Sequence, residues 1–215
     1  MGTMASSTHQ FEVLDLIRAG LQDLDTARTL LDELRADGID DDRLCLLMKT
    51  LEQTCEPDIA LRNLVDIIKA LQSQGHDFHQ VITDDAGLVR LVTVLGVSDG
   101  MGKLMRFRPE LVMAAASDSC ESHLYNHAQR RAHVLEAVGA DPADNRMPKA
   151  TKPLAEAATA LRQTYRKQLA AIMAQDATAD DPIEIQPRIS QELSDLADAA
   201  LELSLIHISE PTRPY

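Results

Sequence analysis

Apolar residues recur at steps of three and four along most of the chain, which is the spacing of one face of an α-helix. After a short helical lead-in at Phe11–Ile17, the first long stripe ends near Gly38. Asp40–Asp42 offer an N-cap for the next helix, and Pro57 suits the first turn of a third, which breaks at Gly75. The stripe positions are Leu21, Leu24, Ala27, Leu31, Leu34, Leu44, Leu47, Met48, Leu51, Leu61, Leu64, Val65, Ile68 and Leu71.

The same periodicity continues into the second half of the chain. Thr83 can cap a fourth helix that reaches Gly96. Ser98 opens a fifth helix, which Pro109 is expected to end. Further helices are expected at about 119–138, 153–173 and 189–202, with loops at 139–152 and 176–187. Because no long alternating run indicates a strand, the sequence predicts an all-α fold, an irregular array of about seven to nine helices.

Breaker residues divide this helical chain into regions. The segment GADPADNRMPKATKP predicts a loop at 139–152 between an N-terminal helical region, 1–138, and a pair of helices over 153–202. From Leu203 the chain reads LSLIHISEPTRPY, and the helical pattern stops at Glu202. These last residues resemble the translation of a transposon-end adapter used in DNA sequencing libraries. We therefore expect 203–215 to be a non-native tail that does not pack, and the chain to be part of a longer protein. A native, disordered, Pro-containing tail is the alternative.

Composition narrows the possible functions. The chain has 34 acidic and 21 basic residues, and its formal net charge of −13 repels nucleic acid and anionic membranes alike. No run approaches the ~20 apolar residues that span a bilayer, and no signal-peptide pattern is present. Cys45, Cys55 and Cys120 have no disulfide-framework spacing, so we expect reduced, buried or part-buried thiols. These features predict a cytoplasmic protein that binds neither nucleic acid nor membrane.

The segment GVSDGMGK, residues 96–103, superficially suggests a phosphate-binding loop. Such a loop needs a Gly, four residues, Gly-Lys and then a Ser or Thr that holds magnesium. Val97 stands where the first Gly is required, and Leu104 replaces the hydroxyl residue. Since no strand precedes the segment, the pattern favours a helix C-cap followed by an N-cap at Ser98.

Cys120, His123 and His127 lie three and four residues apart, so a helix would place them on one face. Zinc accepts such nitrogen and sulfur ligands, but a structural site needs four of them, and His133 is the only further candidate nearby. A solvated polar helix face is the simpler interpretation.

Three further polar pairs could be imagined as reactive groups, namely His76 with His79, Asp84 with Asp85, and Asp180 with Asp181. Adjacent residues on a helix point about 100° apart and do not converge on one ligand. Turn and cap roles explain these pairs, so we expect no catalytic, cofactor-binding or metal-binding residue in this chain.

Four segments of the chain resemble segments of one enzyme family. The resemblance covers about Leu44 to Glu202, and a looser match lies at Cys55–Ile68. TYRKQLAAIMAQD, Thr164–Asp176, is similar to a long helix of the family, and ISQELSDLADAALE, Ile189–Glu202, is the most specific match. Leu88–Val112 resembles the stretch before the family's first catalytic domain, and its matching positions are Val94, Leu95, Gly96, Ser98, Arg108, Pro109 and Glu110. The family that these segments resemble is the bifunctional glutamine synthetase adenylyltransferases, also called adenylyl-removing enzymes.

The resemblance implies a function that this chain cannot perform alone. The family transfers AMP from ATP to glutamine synthetase and removes it, which regulates nitrogen assimilation. It uses ATP and magnesium and responds to a PII-type regulator. Its nucleotidyltransferase motif follows the helix that Ile189–Glu202 resembles, so the chain should be an N-terminal helical part that is inactive by itself. A free-standing helical protein-interaction module is the alternative.

Overall fold

The computed structural model describes residues 11–81, 84–117, 127–144 and 148–209, and the regular secondary structure in these ranges is helical throughout. The predicted all-α class is therefore confirmed. Eleven helical segments occur in the described ranges, and α5 is a single turn. Their bounds are α1 Val13–Arg18, α2 Leu24–Ala36, α3 Asp41–Glu52, α4 Pro57–Ser73, α5 Phe78–Val81, α6 Asp85–Val97, α7 Asp99–Met105, α8 Pro109–Ala116, α9 His127–Ala137, α10 Leu154–Ala177 and α11 Pro182–Ser209.

Several of these helices begin at the caps that the sequence predicts. Asp40 caps α3 by accepting a hydrogen bond from a backbone N–H three residues on, and Ser98 does the same for α7. Pro57 occupies the first turn of α4, where its missing N–H removes no helical bond. Asp84 caps α6, while the predicted cap Thr83 lies outside the described residues.

Helices α1–α8 form one compact unit, which ends at Ala116. Helix α6 packs against α3, α4 and α8, and α4 also contacts α2 and α7. Val94 and Leu95 are adjacent in α6 and both fully buried, so this helix is enclosed on more than one face. The core is mostly aliphatic, since only 3% of the residues in the sequence are aromatic. It includes Leu44, Leu51, Leu64, Val65, Ile67, Ile68, Leu91, Val92, Leu111 and Val112.

Helices α9, α10 and α11 form a second unit, which begins at Ser117. Their core comprises Val134, Leu135, Val138, Ala140, Ala157, Ile172, Ile189, Leu196, Ala199 and Leu203. The end of the predicted 139–152 loop closes back onto α9. The Thr151 hydroxyl donates to the Gly139 carbonyl at 2.8 Å, and Lys152 Nζ donates to the Ala137 carbonyl at 2.6 Å. The segment richest in breakers thus lies within this unit. The division of the chain into helical regions at 1–138 and 153–202 remains a prediction.

Proline begins two helices where the sequence analysis expected none. Pro109 starts α8 instead of only ending the preceding helix, which stops at Met105. Pro182 starts α11 inside the predicted 176–187 loop, so that prediction is wrong over its second half. Both positions are first-turn positions, where the fixed φ of proline already suits a helix. Pro187 lies inside α11 and removes the hydrogen bond to the Ile183 carbonyl.

The predicted end of the last helix at Glu202 is also wrong. Helix α11 continues to Ser209, and Leu203 is fully buried in the core of the second unit. Leu203 lies four residues after Ala199 and seven after Leu196, which places it on the same buried face. The expectation that the tail does not pack therefore fails at Leu203, while the adapter origin of 203–215 stays a prediction.

Candidate functional site

The Gly96–Lys103 segment connects α6 to α7, with helices on both sides. A Cβ added at Gly96 would lie 1.7 Å from Thr54 Cγ2, and one added at Gly102 would lie 2.5 Å from Asn63 Nδ2. These two glycines therefore allow close helix packing. Lys103 Nζ is 2.6 Å from Asp99 Oδ2, and this hydrogen bond is the main reason why the pKa of Asp99 is lowered. The segment does not fit a phosphate group, because Gly96 and Gly102 are packed against Thr54 and Asn63 and the Lys103 ammonium is paired with Asp99.

Two of the four possible zinc ligands, Cys120 and His123, lie outside the described residues. His127 Nδ1 is 3.2 Å from Asp195 Oδ1, so a carboxylate of α11 is its partner. His133 also has an interaction within the protein. Over 11–81, 84–117, 127–144 and 148–209, no three His, Cys, Asp or Glu side chains are grouped as metal ligands.

The acidic pairs occupy helix starts, as expected. Asp84 Oδ1 accepts a hydrogen bond from the backbone N–H of Gly87, and Asp181 Oδ1 accepts from the N–H groups of Ile183 and Glu184 at 2.9 and 3.1 Å. Asp85 lies in the first turn of α6, where an acid favours the positive end of the helix dipole. These carboxylates are therefore structural.

The remaining sequence candidates are likewise used locally or exposed. His79 donates its backbone N–H to Asp77 Oδ1 at 2.9 Å, and its Nδ1 is 3.2 Å from Arg43 Nη1. Cys45 and Cys55 are free thiols, and Cys45 is part-buried as predicted. Cys55 is exposed, against the prediction, because it lies in the turn that joins α3 to α4.

Sequence reasoning missed the principal polar cluster of the second unit. Arg130 of α9 is buried, and its Nη2 donates to Glu192 Oε2 of α11 at 2.5 Å, with side chains 2% and 8% exposed. Arg130 Nη1 also donates to Gln168 Oε1 of α10 at 3.3 Å. One guanidinium thus joins all three helices of this unit.

The neighbouring arginine, Arg131, links α9 to the C-terminal half of α11. Arg131 Nη2 donates to Glu202 Oε1 at 2.7 Å, and its Nε donates to Oε2 at 2.8 Å, which is a bidentate contact. The same guanidinium donates to the carbonyls of Pro142 and Asp144, both at 3.1 Å. The hydrogen bond with Glu202 is the largest cause of the raised pKa of Arg131. Arg131 therefore holds α9, the 141–144 loop segment and α11 together.

These contacts explain the acidic character of the ELSDLADAALE segment. Glu192 and Asp195 lie on the face of α11 that also carries Leu196 and Ala199, and they pair with the basic residues of α9. Acidic residues within the apolar stripe of α11 were the sequence signal for a buried ion pair. The stripe does not show which helix supplies the basic partner. The cluster fixes helix geometry and offers no nucleophile or metal site.

Comparison with other proteins agrees with the family resemblance. The chain is 64% identical over 202 residues to the bifunctional glutamine synthetase adenylyltransferase/adenylyl-removing enzyme of Bifidobacterium longum (strain DJO10A), covering 94% of the chain and 19% of that protein. It is 31% identical over 193 residues to the enzyme of the same name from Cutibacterium acnes, covering 89% of the chain and 19% of that protein. The protein of that name from Leifsonia xyli subsp. xyli is 32% identical to the chain over 199 residues, which cover 91% of the chain and 18% of that protein.

Other comparisons add no further relationship. No family model matches the chain, and no solved structure matches it. None of the described helices combines the length and the apolar character needed to cross a membrane. The chain spans about a fifth of the length of the curated relatives it matches. Over 94% of its own length the chain is homologous to the N-terminal part of the bifunctional glutamine synthetase adenylyltransferase/adenylyl-removing enzymes, which is the family that its sequence resembles.

Proposed function

We propose that the chain is the N-terminal helical part of an enzyme that transfers AMP from ATP to glutamine synthetase and removes it. The 64% identity over 94% of the chain carries this proposal. The enzyme acts in the cytoplasm to regulate nitrogen assimilation, and a PII-type protein controls it. ATP and magnesium bind elsewhere in the full-length enzyme, in the part that supplies the phosphoryl-transfer chemistry.

The role that the geometry supports for this part is positioning. The contacts of Arg130 and Arg131 fix α9, α10 and α11 relative to one another, and α11 is the helix that resembles the one preceding the catalytic motif. A rigid helix at this place would hold the catalytic part at a defined angle. The chain alone should neither adenylylate nor deadenylylate the synthetase, because its clustered acids are occupied as caps and as ion-pair partners.

Labelled ATP provides the test. The purified chain is incubated with glutamine synthetase and magnesium, with the full-length Bifidobacterium longum relative as the positive control. We expect the relative to label the synthetase and the chain alone to add nothing above a no-protein control. An excess of the chain should slow labelling by the relative, because both would dock on the synthetase. Label transferred by the chain alone would overturn the proposed division of labour, and no effect of excess chain would contradict docking.

A further inference from the structure

Helix α11 carries apolar residues that its neighbours α9 and α10 leave exposed. Among the described residues of the second unit, the exposed large apolar side chains are Leu154, Ile183, Leu193 and Leu201. Leu154 and Ile183 lie in the first turns of α10 and α11, whereas the other two lie well inside a helix. Leu193 and Leu201 are 40% and 56% exposed, and Ala197 between them is partly exposed. We call Leu193, Ala197 and Leu201 the α11 ridge.

The α11 ridge continues the buried face of the same helix. Its residues are four apart, and such positions form a continuous row that packs into the groove of a neighbouring helix. Counted at about 3.6 residues per turn, the apolar arc of α11 runs from Ala199 through Leu196 to Leu201 and covers roughly 200°. A helix that packs on one side needs an arc of only about 100°. The core of the second unit takes up the half that carries Leu196 and Ile189, so the ridge is the uncovered remainder.

The polar side chains beside the α11 ridge have partners within the helix. Ser194 Oγ donates to the Ser190 carbonyl at 2.9 Å, and Gln191 Nε2 donates to Asp195 Oδ1 at 2.7 Å. The ridge itself offers only methyl and methylene groups. A partner of the ridge therefore needs apolar side chains and gains little from charge.

The size of the α11 ridge favours a partner within the same polypeptide. A stable interface between separate proteins uses about 20–30 residues on each side, and three side chains fall far short of that. A tethered segment needs less contact, because its attachment gives it an effective concentration of roughly millimolar. The relatives contain such a segment. The chain matches the N-terminal part of the Bifidobacterium longum enzyme and covers 19% of it, so about four fifths of that protein follow the matched stretch.

We propose that the α11 ridge is the docking surface for the part of the full-length enzyme that follows α11, and that this part covers the ridge with an apolar face. Consecutive elements of a chain are usually neighbours in space. Leu201 lies near the end of the matched stretch, so the following part reaches the ridge through a short connection. The inference rests on the proposed function, because it requires the chain to be the N-terminal part of that enzyme. It adds the surface by which α11 would hold the catalytic part.

Cysteine accessibility in two proteins tests the proposal. One protein is the present chain, and the other is a chimera in which residues 1–202 replace the matching stretch of the full-length Bifidobacterium longum enzyme. Leu193→Cys and Leu201→Cys place a thiol on the ridge, and Asp198→Cys is the matched control at an exposed polar position of the same helix. Circular dichroism first establishes that each variant keeps its helices. Alkylation by a maleimide is then followed for each peptide by mass spectrometry.

We expect the two ridge thiols to react roughly tenfold or more slowly in the chimera than in the chain, because a covered thiol reacts only when the contact opens. Asp198→Cys should react at similar rates in both proteins. Equal rates at the ridge in both proteins, or equal slowing at Asp198→Cys, would overturn the proposal and leave the proposed function standing, since AMP transfer judges that function. Slowing in the chain alone that grows with its concentration would overturn the proposal in favour of a second copy. Ridge protection in a chimera that transfers no AMP supports the ridge and contradicts the proposed function.

A second pair of variants makes the test independent of the labelling chemistry. L193Q/L201Q makes the ridge polar, and glutamine is close to leucine in helix propensity. L154Q/I183Q is the control, because it changes two exposed apolar residues outside the ridge. In the chimera, only L193Q/L201Q should weaken the hydrogen-exchange protection of residues 189–202, by roughly tenfold, whereas in the chain it should change that protection little. Unchanged protection in the chimera would contradict the proposal.

Discussion

Gly96→Ala tests whether the glycines of the 96–103 segment are there for helix packing. The added Cβ would lie 1.7 Å from Thr54 Cγ2 and 3.4 Å from Ala60 Cβ. Thr54 cannot simply rotate away, because its hydroxyl donates to the Thr50 carbonyl at 2.7 Å. Overpacking of this kind costs about 1–3 kcal/mol, and the better helix propensity of alanine returns at most about 1 kcal/mol. Since the approach to Thr54 Cγ2 lies far inside contact distance, the upper end of the cost applies, and we expect a net loss of about 2 kcal/mol in the free energy of unfolding.

Urea denaturation followed by circular dichroism measures this loss, and two further variants sharpen the test. Gly100→Ala is the matched control, since the nearest atom to its added Cβ is Ser98 Oγ at 3.9 Å. Because Gly100 also lies in a helix, its replacement should leave the free energy of unfolding unchanged or raise it by up to about 1 kcal/mol. Thr54→Ser removes the clashing methyl group and keeps the hydroxyl. The double variant G96A/T54S should recover at least part of the loss, as a coupling of about 0.5 kcal/mol or more. A fully stable G96A protein, or losses that simply add, would refute the packing explanation.

Three further predictions concern the second unit and an N-cap. Glu192→Leu should lower the free energy of unfolding by about 3 kcal/mol, because it leaves the buried charge of Arg130 without its carboxylate. R130M/E192L should recover much of this loss, and chemical denaturation would disprove the explanation if the double variant were less stable than E192L alone. Deleting Ser204–Tyr215 should lower the melting temperature less than deleting Leu203–Tyr215, since only the second removes the buried leucine, worth about 1.5–3 kcal/mol; equal midpoints would count against it. Hydrogen bonds from the hydroxyl and then the backbone N–H of Thr26 lower the pKa of Asp23. Its cap is therefore fully stabilising above about pH 4, the range of the unfolded pKa, and weakens as pH falls further. The stability gap between wild type and D23A should narrow on acidification below about pH 4, whereas a constant gap would contradict the lowered pKa.

Local signals in the sequence were sufficient to place most helices. Asp40 and Ser98 accept hydrogen bonds from N–H groups three residues on, and Pro57 acts through its own fixed φ, so a single sequence shows their roles as helix starts. Pro109 and Pro182 were misread because proline suits both the end of one helix and the first turn of the next. Only the packing of the following segment decides between the two.

Long-range pairing could not be predicted from this sequence. Arg130 and Glu192 are separated by 62 residues, and apolar periodicity identifies a buried face without identifying the helix that covers it. The same reason applies to Gly96, because the residue that leaves no room for a side chain there is Thr54, in the turn between α3 and α4. Leu203 was assigned to a non-packing tail from its apparent coding origin, yet its position on the α11 face was enough to bury it.

The most direct test of the family assignment replaces the matching stretch of the full-length Bifidobacterium longum relative with this chain's residues 1–202. The rate of magnesium-dependent transfer of labelled AMP to glutamine synthetase is then measured. Because the two stretches are 64% identical, we expect the chimera to retain a rate within about tenfold of the parent, while the same enzyme with the stretch deleted should lose far more. A folded chimera that transfers no more AMP than the deletion would contradict the account.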